Sequence, residues 1–336
     1  MGAGQEDTRQ ISGYNFFSAL WHQKRTHIRG QAMYASKRSL FEIIKGSSQF
    51  IIPVFQRDYT WSDVQCAQLW NDIDRAAERP VGDGHFLGSI VYFATEDSAA
   101  SFPRSMLIDG QQRLTSLTLL LTALRDHIKE TEWQGDEDGP TESKINAYYL
   151  KNLHEQGARQ RKLVLRRRDH TTLQALIDKN ECPSNASERI IESYEYFREQ
   201  LEGAHPAKVY RGMGELIAVE VTLDRHIDNP QVIFESLNST GIDLSQSDLI
   251  RNFLLMSLSE EEQTKLYETY WCKIEDLFRS SENVFDKFAR DYLALLTHAR
   301  KQEREGEIYY AFRRLLINRK EGGYELAAII HDGHRI

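Results

Sequence analysis

The stretch SMLIDGQQRLTSLTLLLTAL, Ser105 to Leu124, interrupts an apolar run with Asp109, Gly110, Gln111, Gln112 and Arg113 and then resumes it. Before the interruption, SMLI reads as a strand. After it, Leu114, Leu117, Leu121 and Leu124 recur along one face of a helix, with Asp109-Gly110 as the turn between the two. The polar residues therefore occupy a strand-to-helix junction. Such a junction is a natural anion site: the first helical N–H groups lack intrahelical partners, the helix dipole favours negative charge, and glycine admits a ligand to the backbone. Asp109 offers a carboxylate for a metal ion or a water, Gln111 and Gln112 offer neutral donors and acceptors, and Arg113 offers a planar fork for phosphate. The set suits phosphoryl chemistry. A plainer reading keeps Asp109 as a helix cap and Arg113 as a surface charge. That reading accounts less well for two adjacent glutamines, which are not preferred caps.

Outward from this junction, FIIPVF, HFLGSIVYFA and AVEVTLDRHI are short β-branched or aromatic runs that read as strands, whereas DVQCAQLWNDIDRAAE carries apolar residues near a helical period. From about Leu249 onward nearly everything reads as helical. The acidic, turn-rich KETEWQGDEDGPTE marks a loop or insertion boundary near residues 129–142. The expected fold class is α+β, a small mixed sheet packed with helices and followed by an all-helical part.

At 336 residues the chain exceeds a common single-domain size of about 100 to 200 residues, so two units or one unit with a large insertion are expected. No stretch reaches the roughly 18 apolar residues of a membrane helix, and MGAGQEDTRQ lacks the layout of a signal peptide. A cytoplasmic protein with no membrane partner is expected. Cys66, Cys182 and Cys272 are widely spaced and form no CxxC pair, so they read as reduced and buried. A net charge of −8 argues against indiscriminate coating of nucleic acid. Charge is locally uneven: ARQRKLVLRRRDH gathers Arg159, Arg161, Lys162, Arg166, Arg167 and Arg168, either as a solvated face or as a phosphate-facing patch.

Two further segments mix apolar and polar character. IIPVFQRDYTW follows a strand-like run with Gln56, Arg57 and Asp58 before Tyr59 and Trp61, and Pro53 keeps Ile52 extended. IFESLNSTGIDLSQSDLIRNFLL holds Asn238, Ser239, Thr240 and Gly241 in a turn, after which Ser245 and Asp248 resemble a capping box. Ordinary turn chemistry explains the Asn-Ser-Thr-Gly segment on its own terms.

In order, IPVFQRDYTW, FLGSIVYF, LIDGQQRLTSL and IFESLNSTGIDLSQSDLIRNF resemble the N-terminal domain of GmrSD-type restriction endonucleases over about Leu40 to Leu255. The layout is also similar to that of SspE in phosphorothioate-based phage defence. The resemblance implies a sheet of ParB/sulfiredoxin-like type and a nucleotidase domain at 34–255 with a helical insertion at about 140–205. An N-terminal arm would cover 1–33, and a helical region at 256–336 would lead to a C-terminal HNH nuclease domain beyond IIHDGHRI. It implies hydrolysis of a nucleoside triphosphate, GTP or ATP, with Mg2+, in response to modified phage or host DNA. By motif, it implicates Asp109, Gly110, Gln111, Gln112 and Arg113 in hydrolysis. Gln56, Arg57, Tyr59, Asn238, Ser239, Thr240 and Gly241 are expected to line the nucleotide or DNA site. Metal ligands and self-association stay open. A metal-dependent nuclease and a catalytically idle DNA-binding module are the competing functions. No GxxxxGK[ST] stretch supplies a P-loop, but a glycine at a helix start with an arginine does similar electrostatic work. The few carboxylates in the motifs, Asp58, Asp109, Asp243 and Asp248, favour nucleotide hydrolysis over a nuclease centre.

Overall fold

Six strands pair in the order β1-β6-β3-β4-β2-β5: β1 (Tyr34–Ser39), β2 (Gln49–Ile51), β3 (His85–Ala94), β4 (Arg104–Asp109), β5 (Leu163–Val164) and β6 (Leu216–Leu223). The sheet is mixed. β1 with β6 and β3 with β4 run antiparallel, while β3 with β6, β4 with β2 and β2 with β5 run parallel. The computed structural model describes residues 33–135, 139–224, 227–238, 244–256, 258–278, 284–297 and 307–321. They divide into two compact units, one up to Asp228 and one from Asn229.

In the first unit the sheet packs on α1 (Leu40–Ile44), α2 (Asp63–Glu78), α3 (Gln111–Glu130), α4 (Glu142–Ile145), α5 (Arg167–Asp178), α6 (Glu188–Leu201) and α7 (Pro206–Gly214). Ile90, Leu107 and Ala218 of the sheet share one core with Leu69, Leu117 and Phe197 of the helices. α3 is the central helix. Its leucine stripe is buried as its period requires, but Thr115, Ser116, Thr118 and Thr122 on its other faces are buried too. Burial of a hydroxyl is tolerable where it has a partner: Thr118 Oγ1 donates to Leu114 O at 2.7 Å and Thr122 Oγ1 to Thr118 O at 2.8 Å. Near its C-terminal end the buried Arg125 binds Asp126 and donates to Ile177 O at 2.7 Å and Leu176 O at 3.1 Å, closing the C-terminus of α5.

The architecture is the mixed α+β one expected, and β3 and α2 coincide with the runs read as strand and helix. β1 and β5 fall outside the strand-like runs. YASKRS is polar because it is an edge strand, and Leu163-Val164 is only two residues long amid arginines. FIIPVF contributes just Phe50 and Ile51 to β2: the amide of Ile52 still donates to Val164 O at 2.9 Å, and Pro53 has no N–H with which to continue. The basic run is not a solvated face, since Lys162 and Arg166 are buried and Arg161 pairs with Asp178. Of the cysteines expected to be buried, Cys66 is, Cys272 is half-buried and Cys182 is exposed.

The second unit is helical throughout its described residues: α8 (Pro230–Asn238), α9 (Gln246–Leu255), α10 (Glu260–Leu266), α11 (Cys272–Phe278), α12 (Val284–Thr297) and α13 (Ile308–Glu321). The Ser245 hydroxyl caps α9 by accepting from the Asp248 amide at 3.1 Å. Buried Arg251 pairs with Asp248 at 2.6 Å and with Glu275, which also accepts from Trp271 Nε1 at 2.9 Å. Among the described residues no helix is long and apolar enough to cross a membrane.

Candidate functional site

β4 ends at Asp109, Gly110 takes a left-handed conformation with φ +93°, and α3 begins at Gln111. Only glycine fits this turn. A Cβ on Gly110 would lie 2.4 Å from Ile90 Cδ1 and 2.9 Å from Ser89 O, and the backbone region itself penalises side chains. Among the described residues no side chain caps α3, so its first N–H groups lack side-chain partners. The Asp109 carboxylate accepts from Ser89 Oγ at 2.7 Å and lies 3.5 Å from Arg113 Nη2. Arg113 Nη1 donates to the Ser89 carbonyl. Both charged side chains keep some contact with solvent, 22% for Asp109 and 24% for Arg113.

The two glutamines of the turn part ways. Gln112 is a bracket: its Oε1 accepts from the Thr60 amide at 2.9 Å and its Nε2 donates to Asp58 O at 3.2 Å. Gln111 is buried beside it, and its amide makes no hydrogen bond among the described residues. Gln112 thus supports the turn, Asp109 and Arg113 keep part of their side chains in solvent, and Gln111 is buried beside them.

The QRDYTW segment is brought against the same turn, though not chiefly by side chains that await a ligand. Buried Gln56 donates from Nε2 to Ile108 O at 2.9 Å, one residue before Asp109. Tyr59 belongs to the core, its hydroxyl within 2.7 Å of Ser116 Oγ and 3.2 Å of Ser193 Oγ. Burial pushes the Tyr59 hydroxyl well above its ordinary value. Arg57 is half-buried. Gln56 and Tyr59, expected to line the nucleotide or DNA site, thus make structural contacts here, as an aromatic ring and an amide next to a strand end do in filling and satisfying a buried seam. Asn238 ends α8, and Ser239, Thr240 and Gly241 lie outside the described residues.

In this seam Asp169 carried no site expectation, and Arg166 only that of the basic run. Asp169 Oδ2 accepts from the Tyr59 amide at 2.6 Å, and Arg166 donates to Gln56 O and lies 3.5 Å from Asp58. Burial, and then the neighbouring Asp58, raise the Asp169 carboxyl above its ordinary value. Nothing in LVLRRRDH signals this, since the contacts span about a hundred residues. Gly88 and Ser89 were legible in part: a glycine inside a strand pattern marks a bulge or a close backbone approach.

A search of curated proteins finds no match to this chain. A family model does match: that of the GmrSD restriction endonuclease, N-terminal domain, over residues 40–255, which include the whole Asp109–Arg113 turn and the segment packed on it. With more than half of its length in that match, the chain belongs to the GmrSD restriction endonuclease N-terminal domain family and is part of a restriction endonuclease system that acts on DNA.

Proposed function

We propose that this chain is the nucleoside-triphosphate-hydrolysing sensor of a modification-dependent restriction protein, licensing DNA cleavage by an HNH nuclease domain. The observation that carries this reading is the uncapped start of α3 flanked by Asp109 and Arg113. Phosphate oxygens at this point meet backbone N–H groups and the positive end of a 20-residue helix. Arg113, held on one side by the Ser89 carbonyl, adds fixed positive charge where the transferred phosphoryl group gains negative charge. Asp109 Oδ2 is engaged by Ser89, and Oδ1 has no described partner. That oxygen would hold a Mg2+ ion, which typically takes one or two protein carboxylates and completes its shell with phosphate oxygens and water. When bound, the ion supplies charge neutralisation on the phosphates. Gln111, whose amide has no hydrogen-bond partner among the described residues, would orient the attacking water.

Phosphate release from ATP and GTP in Mg2+ tests the proposal. Asp109→Ala is expected to abolish turnover and Arg113→Ala to lower it at least about tenfold, the loss of one charge-stabilising donor being worth a few kcal/mol. Full turnover in both variants would remove this turn from the reaction.

A further inference from the structure

Gly88 and Ser89 of β3 touch both charged groups of the turn. Ser89 is 7% exposed, and its hydroxyl donates to Asp109 Oδ2 at 2.7 Å. Its carbonyl accepts from Arg113 Nη1. Gly88 stands at an irregularity of the β3–β6 register with φ +122°, and a Cβ there would lie 2.6 Å from Arg113 Nη1 and 3.0 Å from Cζ. One short segment thus supplies a hydroxyl to the carboxylate, a carbonyl to the guanidinium, and the volume in which the guanidinium lies.

These contacts differ from generic packing. A buried hydroxyl costs free energy unless it is hydrogen-bonded, and the partner here is the carboxylate itself. The terminal torsion of an aspartate is broad and roughly two-fold, so its two oxygens exchange places unless one is engaged. Engaging Oδ2 leaves Oδ1 as the oxygen without a described partner. We infer that Ser89 is a positioning residue for nucleotide hydrolysis, an inference that rests on the function proposed above. It selects which Asp109 oxygen meets the reacting group, while Gly88 admits the Arg113 guanidinium beside it. Reaction rates respond steeply to such placement, since a displacement of about 1 Å costs on the order of a hundredfold.

The test is steady-state hydrolysis by the 336-residue chain and its Ser89→Ala, Ser89→Thr and Gly88→Ala variants, with thermal midpoints measured alongside. Ser89→Ala is expected to lower kcat at least about tenfold with KM changed less than about threefold, as for an interaction made in the transition state. Ser89→Thr keeps the hydroxyl and is expected to recover most of kcat, which a purely packing role would not predict. Gly88→Ala is expected to lower kcat/KM at least about tenfold by displacing Arg113. If Ser89→Ala has no cooperative melt, Ser89→Cys, similar in size with a weak donor, replaces it under the same expectation. A folded Ser89→Ala protein with wild-type kcat overturns the inference alone, as does an equal loss in the alanine and threonine variants. A wild-type chain that hydrolyses no triphosphate overturns the proposed function and the inference together.

Discussion

Gln112 and Lys162 show how far a single residue's role depends on what surrounds it. Gln112 spends both ends of its amide on the backbone of residues 58–60. Removing it leaves the Thr60 amide and the Asp58 carbonyl without that partner, at a cost of about 1–3 kcal/mol. Gln112→Ala should therefore lower the thermal midpoint by a few degrees; equal midpoints for wild type and Gln112→Ala would contradict the bracket. Lys162 is buried with its Nζ donating to Gly46 O, and burial pushes the ammonium down to about 8. Between that value and its ordinary 10.5 the unfolded chain binds a proton that the folded chain does not. This group therefore makes stability rise with pH from about 8 towards 10, and its full penalty is present below 8. Lys162→Met should raise stability at pH 7 by on the order of 1–3 kcal/mol and flatten that rise, as read from denaturant midpoints at pH 7, 8, 9 and 10.

Among the elements, α2 and α7 approach each other closely. A Cβ at Gly212 would lie 2.2 Å from the Ile73 carbonyl and 2.9 Å from Ile73 Cγ2, so the absence of a side chain sets how near the two helices come. Gly212→Ala is expected to destabilise the first unit by about 1–3 kcal/mol through overpacking, although alanine is intrinsically the better helix former. A denaturant midpoint raised by this substitution would mean that propensity outweighs the contact. α3 teaches a related lesson. Its leucine period announces one buried face, but Ser116, Thr118, Thr122, Arg125 and Asp126 on the remaining faces are buried as well, the two threonines satisfied within the helix and the others by partners distant in sequence.

For the molecule as a whole, net charge is −8, and Arg161, Lys162 and Arg166 of the basic run are used internally and not turned to a duplex. DNA binding should accordingly show a shallow salt dependence. With fewer than about four phosphate contacts, the slope of log K against log salt stays above about −4. Fluorescence anisotropy between 50 and 300 mM salt measures this, and a markedly steeper slope would show that cations outside the basic run carry the contact.

The sequence by itself determined the local grammar of this protein. The change of period at Asp109-Gly110, the helical face of Asp63–Glu78 and the strand His85–Ala94 rest on torsional preference and on burial of one face, which neighbouring residues dictate. It also brought Asp109, Gly110 and Arg113 together, because a turn joins them. Only the tertiary structure decided which polar residues of the motifs are bonded to distant parts of the chain. Gln56, Gln112 and Tyr59 look alike in sequence to Gln111 and Arg113, yet they are committed to Ile108, Thr60 and Ser116. The edge strand β5 and the burial of Arg166 and Asp169 were equally invisible. Their physical cause is desolvation: a polar group is drawn into a contact when the fold removes its water, and which groups lose their water is a property of chain segments that meet across a hundred residues.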